Sequence, residues 1–135
     1  MTATIGVVAL GRNTFDVPFA EEITKAAFAR LDDLDVKIVG PRELLFDADA
    51  VLAALPALKA QPLDLLLLLQ VTFTDATMTV ALADEIDAPV ALWGFPEPRT
   101  GERLRLNSLC GINLAAHALR RGGTDIKYLF GAPAT

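Results

Sequence analysis

Two segments carry the residues best suited to chemistry. Leu65 to Leu69 is an unbroken aliphatic run that ends in Gln70-Val71-Thr72-Phe73-Thr74-Asp75-Ala76. Pro89-Val90-Ala91-Leu92 likewise ends in Trp93-Gly94-Phe95-Pro96. Both read as buried strands that stop abruptly in polar and aromatic residues. In an open parallel sheet, ligands bind at the carboxyl ends of the strands. Phe73, Trp93 and Phe95 offer aromatic faces that pack against the C–H faces of sugars and other flat apolar ligands; ordinary core or an interface would use them equally well. Arg12 follows the first strand, and Arg99, Arg103 and Arg105 lie together in a later loop. Guanidinium groups around one mouth can hold an anion or sugar hydroxyls. Glu97 and Glu102 are interleaved among them, as in a solvated loop of mixed charge.

Other chemistries find less. Gly6 and Gly11 are spaced like the ends of a phosphate loop, but Arg12 and Asn13 stand where Lys and Ser or Thr belong. A phosphoacceptor domain needs acidic residues after the first strand and an aspartate ending the third; here Gly11-Arg12 and Gln70 occupy those places. Thr14, Trp93 and Phe95 fit a flavin site in part. His117 is the one histidine and Cys110 the one cysteine. His117 reads as a solvated or interface residue and Cys110 as a small structural one. Asp16, Asp47 and Asp75 read as helix caps.

The chain has 135 residues, a net charge of −5, 53% hydrophobic residues and a mean hydropathy of +0.41. Such a length suggests one domain. The acidic balance argues against nucleic acid or an anionic membrane as partner, since both demand a basic face. The aliphatic run is far shorter than the roughly 20 residues of a membrane span. The N-terminus lacks the order of a signal peptide, and one cysteine forms no internal disulfide, so a cytoplasmic location is expected.

These segments must be positioned by alternating strands and helices. Strands are expected at Thr4 to Leu10, Val36 to Val39, Leu63 to Gln70, Ala88 to Trp93 and Ile126 to Phe130. Gly40-Pro41 should stop the second. Between them lie helical patterns: Asp16 to about Leu31; Asp47 to about Ala60, with Val51, Leu52, Leu55 and Leu58 inward and Pro56 kinking or shortening it; Asp75 to about Ile86; and a fourth capped by Asn107 or Ser108, with Leu109, Ile112, Ala116 and Leu119 inward. The order implies a five-stranded parallel sheet with helices on both faces. We expect an α/β, Rossmann-like (flavodoxin-like) three-layer sandwich with strand order 2-1-3-4-5. No helix follows the last strand, so sheet around Tyr128 and Phe130 should lie bare. Residues 1–131 form the expected domain, and 132–135 read as the start of a linker or tail.

The same segments resemble a known family. Gln70-Val71-Thr72-Phe73-Thr74-Asp75-Ala76 is similar to the Thr-Phe-Ser-Pro-Ala segment in the N-terminal domain of L-arabinose isomerases. Leu92-Trp93-Gly94-Phe95-Pro96, with Arg105-Leu106-Asn107-Ser108-Leu109-Cys110-Gly111, resembles the N-terminal domain of L-fucose isomerase-like proteins, as does Arg12-x-Thr14-Phe15-Asp16. The resemblance spans about Ile5 to Gly131. It implies a substrate-pocket and oligomerisation domain of an aldose–ketose isomerase in carbohydrate metabolism. The metal, usually Mn2+, and the acid–base carboxylates would lie in a later domain, so this chain would not be catalytic alone. It implies Phe73 as a sugar-contacting aromatic, with Arg12 and Trp93 flanking the pocket. Thr14, Phe15, Gln70, Thr72 and Phe95, in the same segments, complete the candidate substrate contacts. A homo-oligomer sharing its sugar between subunits, with no nucleic acid and no membrane, follows. Thr74-Asp75 stands where the arabinose enzymes have Ser-Pro, which leaves the sugar open. The alternative is a stand-alone small-molecule-binding or interaction module without enzyme activity.

Overall fold

The computed structural model describes residues 2–98 and 100–133. Ten elements alternate: β1 (Ala3–Leu10), α1 (Val17–Asp32), β2 (Val36–Val39), β3 (Leu44–Leu45), α2 (Ala48–Lys59), β4 (Leu65–Gln70), α3 (Thr77–Glu85), β5 (Val90–Gly94), α4 (Ser108–Arg121) and β6 (Ile126–Phe130). All strand pairs are parallel, in the order β2-β1-β4-β5-β6. The short β3 pairs with β1 beyond β2, at Ala9 and Leu10. The expected order is therefore present, with one addition. The second strand does not simply stop at Gly40-Pro41: Gly40, at φ +109°, turns the chain, and pairing with β1 resumes at Leu44. Two residues carry no periodicity from which such a strand could be read.

Leu65 to Leu69 is flanked by strands on both sides and covered on both faces, which is why it does not alternate. Leu66 and Leu68 join Val8, Leu10, Val90 and Leu92 under α2, α3 and α4. Leu67 and Leu69 join Val7, Ala9 and Trp93 on the other face, against α1 residues Ala20, Ala27, Phe28 and Leu31. Each fully buried leucine contributes about 1.5–3 kcal/mol. Asp16 and Asp47 cap α1 and α2 as expected, accepting from Phe19 N at 3.2 Å and Ala50 N at 2.8 Å.

Several helix details differ from expectation. Pro56 neither ends nor shortens α2, which runs on to Lys59. It lies on the solvent side, where water can take up the Leu52 carbonyl that its missing N–H leaves. Leu52 itself is exposed. On α4 the buried face is Ser108, Gly111, Ile112, Ala115, Ala116 and Leu119, so Leu109 and Cys110 face outward. That orientation contradicts a structural role for Cys110. α3 begins after Ala76, whose φ of 70° is left-handed; Asp75 precedes the cap position but still accepts from Thr77 N at 3.1 Å. At the other end of the sheet order, Tyr128, Leu129 and Phe130 are exposed.

Candidate functional site

The strand register sets one row of chain ends: Leu10 pairs with Gln70, Gln70 with Gly94, and Gly94 with Phe130. At this row β4 turns away from the sheet, and Gln70 fixes the turn from beneath. It is fully buried. Its Nε2 donates to the Thr72 carbonyl at 2.8 Å and to Thr74 Oγ1 at 3.0 Å. The Ser108 hydroxyl donates to the Gln70 carbonyl and accepts from Phe95 N at 2.9 Å. Helix α4 comes this close because residue 111 is glycine: a Cβ there would lie 2.8 Å from Gln70 Cγ and 3.1 Å from the Thr72 carbonyl oxygen. Phe73 N donates to the Leu106 carbonyl at 2.9 Å. The Phe73 backbone is thus held from two sides, and its ring is left half-buried.

Around that ring stand the groups of the first loop. Arg12 N donates to Thr72 Oγ1 at 2.8 Å. The Arg12 guanidinium reaches Asp75 Oδ2 at 3.3 Å and lies 5.8 Å from the Phe73 ring centre. Phe15 packs on Phe73 at 6.5 Å between centres, tilted by 59°. Arg103 sits 6.0 Å from the Phe15 ring. The Thr77 amide and hydroxyl, then Arg12, hold the Asp75 carboxyl below the usual carboxylate range. Arg105 closes the rim. Its Nε donates to Asp16 Oδ2 at 2.7 Å, and its carbonyl accepts from Asp16 N at 3.0 Å. Hydrogen bonding to Arg105, and then to Phe19 N, keeps the Asp16 carboxyl low as well. A cavity of about 240 Å³ is lined by Thr14, Phe15, Asp16, Arg103, Leu104 and Arg105, and Phe15 links it to the Phe73 ring.

A family model described as the fucose/sulfoquinovose isomerase N-terminal domain matches residues 6–135. The chain belongs to this family. Sulfoquinovose isomerases of Priestia megaterium and Alkalicoccus urumqiensis are 31% and 32% identical to it over 130 residues, and that of Clostridium sp. (strain MSTE9) is 31% identical over 131. Each alignment covers 96% of this chain, and the chain spans 29% of the length of these relatives. The family description names fucose and sulfoquinovose, the fucose side of the expected resemblance.

Within this isomerase N-terminal domain, the expected site residues fall into two groups. Arg12, Phe15 and Phe73 meet at the mouth, with exposed Thr14 beside them. Gln70, Thr72, Trp93 and Phe95 do not reach it: all four are buried. Gln70 and Thr72 support the turn through hydrogen bonds. Trp93 and Phe95 pack at 4.9 Å between ring centres, tilted by 37°, in the core with Leu106, and Trp93 Nε1 donates to the Gly131 carbonyl at 3.0 Å. Of the expected arginine cluster, Arg103 and Arg105 line the rim, while Arg99 lies outside the described residues, as do Ala134 and Thr135 of the expected tail. The sequence reading missed Asp75 as the partner of Arg12 and Asp16 as the partner of Arg105. Both aspartates serve a helix start as well, so the capping signal hid the second role.

A divalent metal does not fit the groups present. Among the described residues, no three His, Cys, Asp or Glu side chains come together in a way that could hold one. Asp16 and Asp75 are taken up by arginines and helix amides, and His117 is exposed on α4. Among these residues, too, no helix is long and apolar enough to cross a membrane.

Proposed function

We propose that this chain is the substrate-pocket domain of a cytoplasmic aldose–ketose isomerase acting on sulfoquinovose, the sugar for which its relatives are named. One observation carries this reading: a half-exposed aromatic pair, Phe15 and Phe73, stands at the carboxyl end of a parallel sheet with Arg12 and Arg103 beside it. The rings offer a face for the C–H side of a sugar. The guanidinium groups offer charge-assisted hydrogen bonds to hydroxyls or a sulfonate. Arg103 forms no ion pair among the described residues, and the Arg12–Asp75 pair is half-exposed, so both can turn toward a ligand at small cost.

Isomerisation moves a proton or hydride between adjacent carbons, which needs a metal or a paired acid and base next to two oxygens. In our reading those groups, Mn2+ or another divalent ion included, belong to the remainder of a longer protein. This domain binds and orients the sugar. The exposed β6 residues favour its packing against another domain or subunit of a homo-oligomer.

Phe73→Ala in the full-length protein tests this. Loss of one aromatic–sugar face should raise KM for sulfoquinovose about tenfold, the equivalent of about 1.4 kcal/mol. An unchanged KM refutes the pocket. Should the unaltered protein neither bind nor isomerise sulfoquinovose, the exposed β6 edge makes an interaction module the better reading.

A further inference from the structure

We propose that Glu97 is a positioning residue that sets the sugar-binding mouth through the backbone of Arg105 and Leu106. The Glu97 carboxylate is clasped by three successive backbone amides. Arg105 N and Asn107 N (2.7 Å) each donate to one of its oxygens, and Leu106 N to both, at 3.1 and 3.0 Å. Successive N–H groups that converge in this way form a concave anion-binding nest. Asn107 completes the nest in a left-handed conformation, φ 55°, which asparagine tolerates better than most non-glycine residues. The chain fills the nest with its own carboxylate.

Two of the three clasped residues, Arg105 and Leu106, anchor the mouth. The Arg105 carbonyl accepts from Asp16 N, and the Arg105 side chain holds the Asp16 carboxylate. The Leu106 carbonyl accepts from Phe73 N. Glu97 thus fixes, through backbone alone, the two attachments that bring the first loop and the Phe73 turn together. Among the described residues its hydrogen bonds go to these three amides. Its effect should therefore fall on sugar affinity and not on turnover. This inference rests on the reading of the mouth as a sugar site, and its test separates the two.

The test uses the full-length protein with Glu97→Gln, which keeps the shape and removes the charge, and Glu97→Asp, which keeps the charge on a shorter arm. Amide hydrogen exchange at Arg105, Leu106 and Asn107 should quicken at least about tenfold in Glu97→Gln, since local opening governs protection. The ring resonances of Phe15 and Phe73 should shift. KM for sulfoquinovose should rise about tenfold, with kcat held within about twofold. Glu97→Asp should recover part of each change. Unmoved ring resonances in Glu97→Gln would overturn the proposal whatever the sugar does. So would a fall in kcat at constant KM. Shifted rings and faster exchange, with KM unmoved in both Glu97→Gln and Phe73→Ala, would uphold the clasp and refute the sugar reading.

Discussion

The ends of β4 and β5 lie side by side, in register at Gln70 and Gly94, yet they have opposite fates. Both follow aliphatic strands, and both carry aromatics. After β4 the chain turns outward on a frame of buried hydrogen bonds, and Phe73 emerges half-buried among charges. After β5 the chain doubles back: Phe95 N bonds Ser108, Glu97 clasps the amides before α4, and Leu106 closes over Trp93 and Phe95. The path of the following loop decides which aromatic meets solvent; residue type does not. A short turn leaves its aromatic at the surface, and a long loop that returns to the sheet buries its own.

The largest expected effect breaks this contrast directly. Phe95 is 1% exposed within the core. Phe95→Ala should cost about 3–5 kcal/mol of folding stability, the usual range for a buried Phe. Half-buried Phe73→Ala should cost about 1 kcal/mol, a partial share of the burial energy. Denaturant midpoints of the two variants measure the difference. Similar losses would make Phe73 a core residue and remove the basis for a pocket.

A smaller effect sharpens the comparison at the shared wall. Ala is the better helix former, by about 1 kcal/mol over Gly. At position 111 its methyl would nonetheless press on Gln70 Cγ, the Thr72 carbonyl oxygen and Phe73 Cα, and neither backbone atom can swing away. Gly111→Ala should therefore lose about 1–3 kcal/mol, as overpacking does, and displace Phe73. A variant as stable as the parent would show that α4 does not brace the turn.

How far these regions were legible in sequence follows from the range of the interactions. The five long strands, their order and the two-faced burial of Leu66 to Leu69 could be read, because aliphatic runs and helix caps are local signals. Arg12 and Phe73 could be read as mouth residues from their places after β1 and β4. The burial of Trp93 and Phe95 could not, because the covering residue, Leu106, lies on the far side of a long loop. Glu97 looked like one charge among several, since its partners are backbone amides eight to ten positions away. Ser108 read only as a helix cap; its bond to the Gln70 carbonyl spans 38 positions.

The smallest expected effect separates the two ion pairs that tie the mouth together. Arg105 is the first cause of the low Asp16 carboxyl, whereas Thr77 is the first cause of the low Asp75 carboxyl and Arg12 only a later one. A carboxyl lowered in the folded state adds stability above its unfolded pKa, and that contribution disappears as pH falls through the folded value. Arg105→Gln should therefore raise the titration midpoint of Asp16 toward the ordinary aspartate range, so that its contribution fades at a higher pH than in the parent. Arg12→Gln should leave Asp75 low, because its Thr77 partners remain. Carboxyl chemical shifts followed through acid titration read both sites at once. Equal upward movement of the two would mean that Arg12 holds Asp75 as firmly as Arg105 holds Asp16. Arg12 would then be a fixed strut of the rim, and not a side chain able to turn toward a ligand.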